Sequence, residues 1–198
     1  MTLNDRYQVD DFLGRSPYGE IYRGRDLADG RLITIKAITP QLLADAQVRT
    51  RLEREIQVAV QLDHKNIGVT YGLFGAMVGN DPVAYLAAEY VDGQTLREMV
   101  EKKRAAGRTF SLKGTYNVVA HLCNALIYAH GATVHGGISP DSVLVNSAGR
   151  VKVVDFGLAR TMRALDHFQA QVSAGGIASL PPEMVSSPET ADARADLY

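Results

Sequence analysis

The sequence predicts an α+β fold of two lobes, a β-rich one over residues 1–91 and a mainly helical one, incomplete at its far end, over residues 92–198. Three observations carry this. Residues 7–39 read as three short strands separated by glycine-bearing turns, residues 44–62 repeat an apolar side chain every four positions, and residues 111–130 form the longest helix candidate. Taken in order, Tyr7–Leu13 and Glu20–Leu27 flank the first turn. Asp29-Gly30 closes a second hairpin onto Leu32–Ile38, whose β-branched residues suit a pleated surface. In the helix Ala44–Leu62, Val48, Leu52, Ile56 and Val60 make one stripe, with Arg and Glu on the other faces. Ile67–Phe74 and Val83–Val91 give two further strands. Thr95-Leu96-Arg97-Glu98 has the spacing of a capping box and Gly107 offers a stop, bracketing the next helix. Ser111–His130 follows, with Val118, Leu122, Ala125 or Leu126, and Ala129 on one side. Ser142–Asn146 and Val151–Asp155 are joined by Ser147-Ala148-Gly149 as a hairpin.

Composition narrows the function classes. Of the 198 residues 46% are apolar and 22% charged, which excludes collagen-like, disulfide-framework and disordered chains. With 21 Lys plus Arg against 22 Asp plus Glu, there is no basic surplus for nucleic acid or an anionic membrane. The single Cys123 cannot form an intramolecular disulfide and fits a reducing compartment. Met1–Asp11 holds no apolar stretch of signal-peptide length, and no uncharged apolar run reaches the roughly 18 residues of a membrane span. A cytoplasmic chain without membrane insertion is expected.

The chemistry-bearing residues fall in a set order. Leu13-Gly14-Arg15-Ser16-Pro17-Tyr18-Gly19-Glu20-Ile21 lies between two strands, and Ile33-Thr34-Ile35-Lys36 sits on a third. Glu55 is on the next helix, nine residues before His64. Glu89-Tyr90-Val91 ends a strand, and His135-Gly136-Gly137-Ile138-Ser139-Pro140-Asp141-Ser142, Asp155-Phe156-Gly157, Pro181-Pro182-Glu183 and Asp192-Ala193-Arg194-Ala195-Asp196 follow. In these landmarks the chain resembles the protein kinase family, and within it the bacterial eukaryotic-like Ser/Thr kinases. The resemblance implies a kinase-like fold with an interlobe cleft for ATP and Mg²⁺. It gives Lys36 the phosphate charge, with Glu55 holding Lys36 by an ion pair, and Gly14 and Gly19 the phosphate loop. Asp155 becomes the metal ligand, with Ser142 as a second candidate. Leu13, Ile21, Thr34, Ala88 and Leu144 would line the adenine slot, and Glu89 and Val91 would offer main-chain groups to the purine edge.

The pattern also breaks. Ser16 stands where the family has the middle Gly, followed by Pro17, which removes a main-chain donor. Thr34 replaces the usual Ala and projects a branch toward the adenine slot. In the catalytic loop the family's Arg, Asp, Lys and Asn are replaced by Gly136, Gly137, Ser139 and Ser142. A positioned general base contributes roughly 10²–10⁴ in rate, and no rotamer lets glycine replace an aspartate. Asp141 is the only nearby carboxylate that could substitute, while His135 reads as a packing residue against Phe156. The expectation is a pseudokinase that binds ATP and Mg²⁺ and serves a protein partner as a regulatory or scaffolding module. The alternatives are a divergent active Ser/Thr kinase acting on a protein substrate, and a nucleotide-independent interaction module. Thr161 and Ser173 are poor candidates for an activating phosphorylation switch, because the cation that would pair with the phosphate is Gly136. The chain is further expected to be a fragment with exposed apolar surface on its second lobe.

Overall fold

The structure, a computed structural model, describes residues 1–163 and 192–197. Strands β1 (Thr2–Leu3), β2 (Tyr7–Ser16), β3 (Gly19–Asp26), β4 (Leu32–Ile38), β5 (Thr70–Val78) and β6 (Asp81–Glu89) form an antiparallel sheet in the order β1-β2-β3-β4-β6-β5. The period-two alternation of β4 divides its side chains between two environments. Ile33 and Ile35 join Leu3, Tyr7, Tyr85 and Ala87 in one core. Ile38, in phase with Thr34 and Lys36, packs on the other face with Leu52, Ile56, Leu86 and Leu158.

Helices α1 (Pro40–Leu43) and α2 (Ala46–Ala59) cover that second face. The helix expected over Ala44–Leu62 is α2, which begins at Ala46 because the Asp45 side chain accepts from the main-chain N–H groups of Gln47 and Val48, and a short helix, α1, precedes it. Val48, Leu52 and Ile56 are buried as the periodicity predicts. Ala59 replaces Val60 as the fourth, since the helix ends at Ala59 and Val60 is its half-buried cap.

After β6 come β7 (Gly93–Thr95), α3 (Leu96–Ala105) and α4 (Leu112–Ala129). The capping box forms as expected: the Thr95 hydroxyl accepts from Glu98 N, and the Glu98 carboxylate accepts from Thr95 N. Ser111 caps α4, whose Val118, Ala125, Leu126 and Ala129 are buried. Leu112, Tyr116, Val119 and Ile127 lie exposed on one face of the same helix among the described residues. β8 (Val143–Asn146) and β9 (Val151–Val153) pair with β7 in a three-stranded sheet, and α5 (Leu158–Arg163) follows. A 3₁₀ turn covers Ala193–Asp196. Ser173 and Pro181-Pro182-Glu183 lie outside the described residues.

Besides Leu158 on the second face of the sheet, the two parts meet at an apolar cluster of Ala59 and Leu62 from the end of α2, Ile67, then Ala125, Leu126 and Ala129 of α4, with Val153 and Phe156. A parallel bridge joins Ile67 to Val153, and Asn66 Nδ2 donates to Val151 O at 2.8 Å. This junction fixes β9, the strand that leads into Asp155.

At the far edge of the first sheet, buried Asp26 accepts from Arg6 Nε and Nη2, which holds its carboxyl below the usual Asp range. A depressed folded-state value contributes stability above the unfolded pKa of about 3.9, and this contribution is lost as pH falls through the folded value. Asp26→Asn is therefore expected to flatten the acid limb of the stability–pH curve below about pH 4, read by chemical denaturation at stepped pH. An acid limb identical to that of the wild type would contradict this role.

Candidate functional site

Between the sheet and the helical part runs a cleft of about 850 Å³, within the range of small-molecule sites. Of the residues singled out in the sequence, Leu13, Gly14, Ile21, Thr34, Lys36, Ala88, Glu89, Val91, Leu144 and Asp155 all line it. His135, Gly137, Ser139, Asp141 and Ser142 complete the lining from the catalytic-loop segment. Gly19 and Glu55 do not reach it.

Lys36 Nζ donates to Asp155 Oδ1 across the cleft, and both side chains are largely buried. Asp155 holds a left-handed conformation with φ 72°, an uncommon state for a non-glycine residue, and Gly157 follows with φ 83°. A Cβ at Gly157 would sit 2.8 Å from Glu55 O, so only glycine lets α2 pass this close. The expected Lys36–Glu55 ion pair is not formed. Glu55 instead meets Arg160 Nη1 at 3.4 Å. The reason is local: Asp155 already supplies the countercharge to Lys36, and α5 brings Arg160 against α2. Gly136 makes room for this, since a Cβ there would lie 3.2 Å from Arg160 Cβ.

Gly19 also has a different task from the expected one. At φ 142°, a Cβ on Gly19 would fall 1.9 Å from Ala37 O, so this glycine lets the β2–β3 hairpin close onto β4. Tyr18 O accepts from both Thr39 N and Thr39 Oγ1 beside it. Ser16, the residue in place of a glycine, uses its hydroxyl within the turn, accepting from Tyr18 N and donating to Gly19 O, each at 3.2 Å.

In the catalytic-loop segment, fully buried His135 contacts Val154 O through Nε2 at 2.8 Å and meets the Phe156 ring edge-on, as a packing histidine does. Ser142 Oγ accepts from Ser139 N and donates to Ser139 O, both at 3.0 Å. Its oxygen closes a turn at the cleft wall. Asp141 is gripped by Arg97 Nε at 2.7 and 2.8 Å. Thr161 is buried and donates to Gly157 O at 2.9 Å, so its hydroxyl is closed to modification in this conformation. No group of three or more His, Cys, Asp or Glu side chains suited to a metal occurs among the described residues.

Several contacts were not read from the sequence. Asp196, with its side chain wholly buried, accepts from His135 N at 2.8 Å, Gly136 N at 2.7 Å and His130 Nε2 at 2.9 Å, pinning the loop from far along the chain. The Glu89 carboxylate accepts from Val69 N at 3.0 Å and Lys152 Nζ at 2.7 Å, which leaves its main chain to face the cleft. Arg160 and Arg97 were likewise missed. Only Asp196 stood in a recognisable pattern, Asp-x-Arg-x-Asp.

A six-stranded antiparallel sheet, one helix against it and a cleft closed by a lysine and an Asp-Phe-Gly aspartate together define a protein kinase domain. The family model described as "Protein kinase domain" matches residues 7–198, and the chain belongs to this family, in its bacterial serine/threonine branch. It is 35% identical, over 99% of its length, to a "Probable serine/threonine-protein kinase" of Streptomyces coelicolor, and 32% identical to serine/threonine-protein kinase PknB of Mycolicibacterium smegmatis over the same share. It spans 29% and 31% of those two proteins. Among solved structures, the Mycobacterium tuberculosis PknI kinase domain matches with a TM-score of 0.77 and 26% identity, covering 100% of this chain and 70% of that one. No helix among the described residues is long and apolar enough to cross a membrane.

Proposed function

We propose that this chain is a nucleotide-binding pseudokinase module, which takes ATP in its cleft and transfers phosphate little or not at all. The observation that carries the reading is the pairing, in one cleft, of a retained Lys36–Asp155 couple with a loop whose catalytic positions are Gly137 and Ser139. Leu13, Ile21, Ala88 and Leu144 offer apolar walls for a purine, and the Glu89 and Val91 main chains offer its hydrogen-bonding edge. In this reading Lys36 meets phosphate oxygens. Asp155 suits a magnesium ion, which when bound would neutralise phosphate charge, once nucleotide phosphates have drawn Lys36 away from it. Breaking the Lys36–Asp155 contact is then the first consequence of binding, and it gives the nucleotide a means of changing how the two parts of the fold are held for a protein partner. The active-kinase reading would use Asp141 as base, or substrate-assisted chemistry, and Asp141 is here paired with Arg97 Nε at the cleft rim.

Thermal unfolding with ATP and Mg²⁺ tests the proposal. Ligand at a hundred times its Kd is expected to stabilise the wild type by about 2.7 kcal/mol, and Lys36→Ala to lose most of that increment relative to its own ligand-free midpoint. No shift in the wild type, or an equal shift in Lys36→Ala, would overturn it.

A further inference from the structure

We infer that Thr34 sets which purines the cleft accepts, admitting a 6-oxo purine nucleotide as well as a 6-amino one. The inference rests on the nucleotide reading above and concerns only the base. Thr34 pairs with Ala88 across β4 and β6, and its Oγ1 lies 3.4 Å from Glu89 O, the acceptor offered to the purine edge. A main-chain carbonyl can only accept. Alone it pairs with an exocyclic amino group and repels an exocyclic oxygen. The Thr34 hydroxyl changes this, because it carries one donor and two lone pairs and can face either substituent.

Three features leave that hydroxyl available. At 3.4 Å its contact with Glu89 O is long for an O–H···O hydrogen bond, so little is lost when the hydrogen turns to a ligand. The small Ala88 opposite leaves space beside it. The Glu89 carboxylate is occupied by Val69 N and Lys152 Nζ. With the hydrogen on Glu89 O, a Thr34 lone pair can accept from a 6-amino group; with the hydrogen turned outward, Thr34 donates to a 6-oxo oxygen. Val91, in the same lining, brings both a main-chain N–H and a C=O for the adjacent ring nitrogen, which accepts in the first base and donates in the second.

The test is calorimetric titration of ATP and ITP, each with Mg²⁺, into the wild type, Thr34→Ala and the near-isosteric Thr34→Val. The wild type is expected to bind the two nucleotides within about tenfold of one another, and both variants to shift the ratio toward ATP by about a further tenfold, the scale of one unpaired polar contact. ATP binding within each variant reports that it is folded. A wild type that binds ATP and excludes ITP overturns the inference, as does an ATP-to-ITP ratio unchanged in both variants. If the wild type binds neither nucleotide, the nucleotide reading fails and this inference with it, whereas ATP binding with an unaltered ratio removes this inference alone.

Discussion

Asp196→Ala is expected to lower the unfolding free energy by about 3–5 kcal/mol, the largest single-residue effect anticipated in this chain. The carboxylate has no exposed side-chain surface and accepts from two main-chain N–H groups and one imidazole nitrogen. Truncation leaves the N–H groups of His135 and Gly136 buried without an acceptor, and each such group costs about 1–3 kcal/mol. Asp196→Asn keeps one acceptor oxygen and should fall between the two. Urea denaturation reads all three proteins. A midpoint for the Ala variant equal to that of the wild type would show that this anchor contributes nothing.

The second large effect is a gain. Gly137→Asp combined with Ser139→Lys and Ser142→Asn is expected to raise phosphoryl transfer by about 10²–10⁴ over the wild type, the usual contribution of a positioned base. Transfer of radiolabelled γ-phosphate to a generic protein substrate measures it. Gly137 is not among the glycines with left-handed φ, so a side chain can be added there without backbone strain. Gly136 differs, with φ 67° and Arg160 against it, and is left unchanged in this design. If the wild type already transfers phosphate and Asp141→Ala abolishes the transfer, the pseudokinase proposal fails and the divergent-kinase reading takes its place.

Most of the first sheet was legible because its strands are written locally. The Leu32–Ile38 run is bounded as expected, since β-branched alternation and the Asp29-Gly30 turn specify it without distant help. The capping box at Thr95 is local for the same reason. β7 was not legible: Gly93–Thr95 has no strand signal of its own and becomes a strand through pairing with β8. The site divides similarly. Leu13, Ile21, Ala88 and Leu144, named through the family resemblance, all line the cleft. The charge partners were not legible. Whether Lys36 faces Glu55 or Asp155 depends on how α2 is seated against Gly157, α5 and Arg160, contacts made by residues more than a hundred positions away in sequence.

The closure of Gly19 onto Ala37 has a mechanical consequence. Because Tyr18 O holds Thr39 through two donors and no side chain can be inserted at Gly19, the hairpin tip is riveted to the far end of the strand that bears Lys36. Thr39 is also the cap of α1. A displacement of the hairpin tip is therefore passed directly to the end of β4 and to the start of α1, so that tip, lysine strand and first helix are coupled through Thr39.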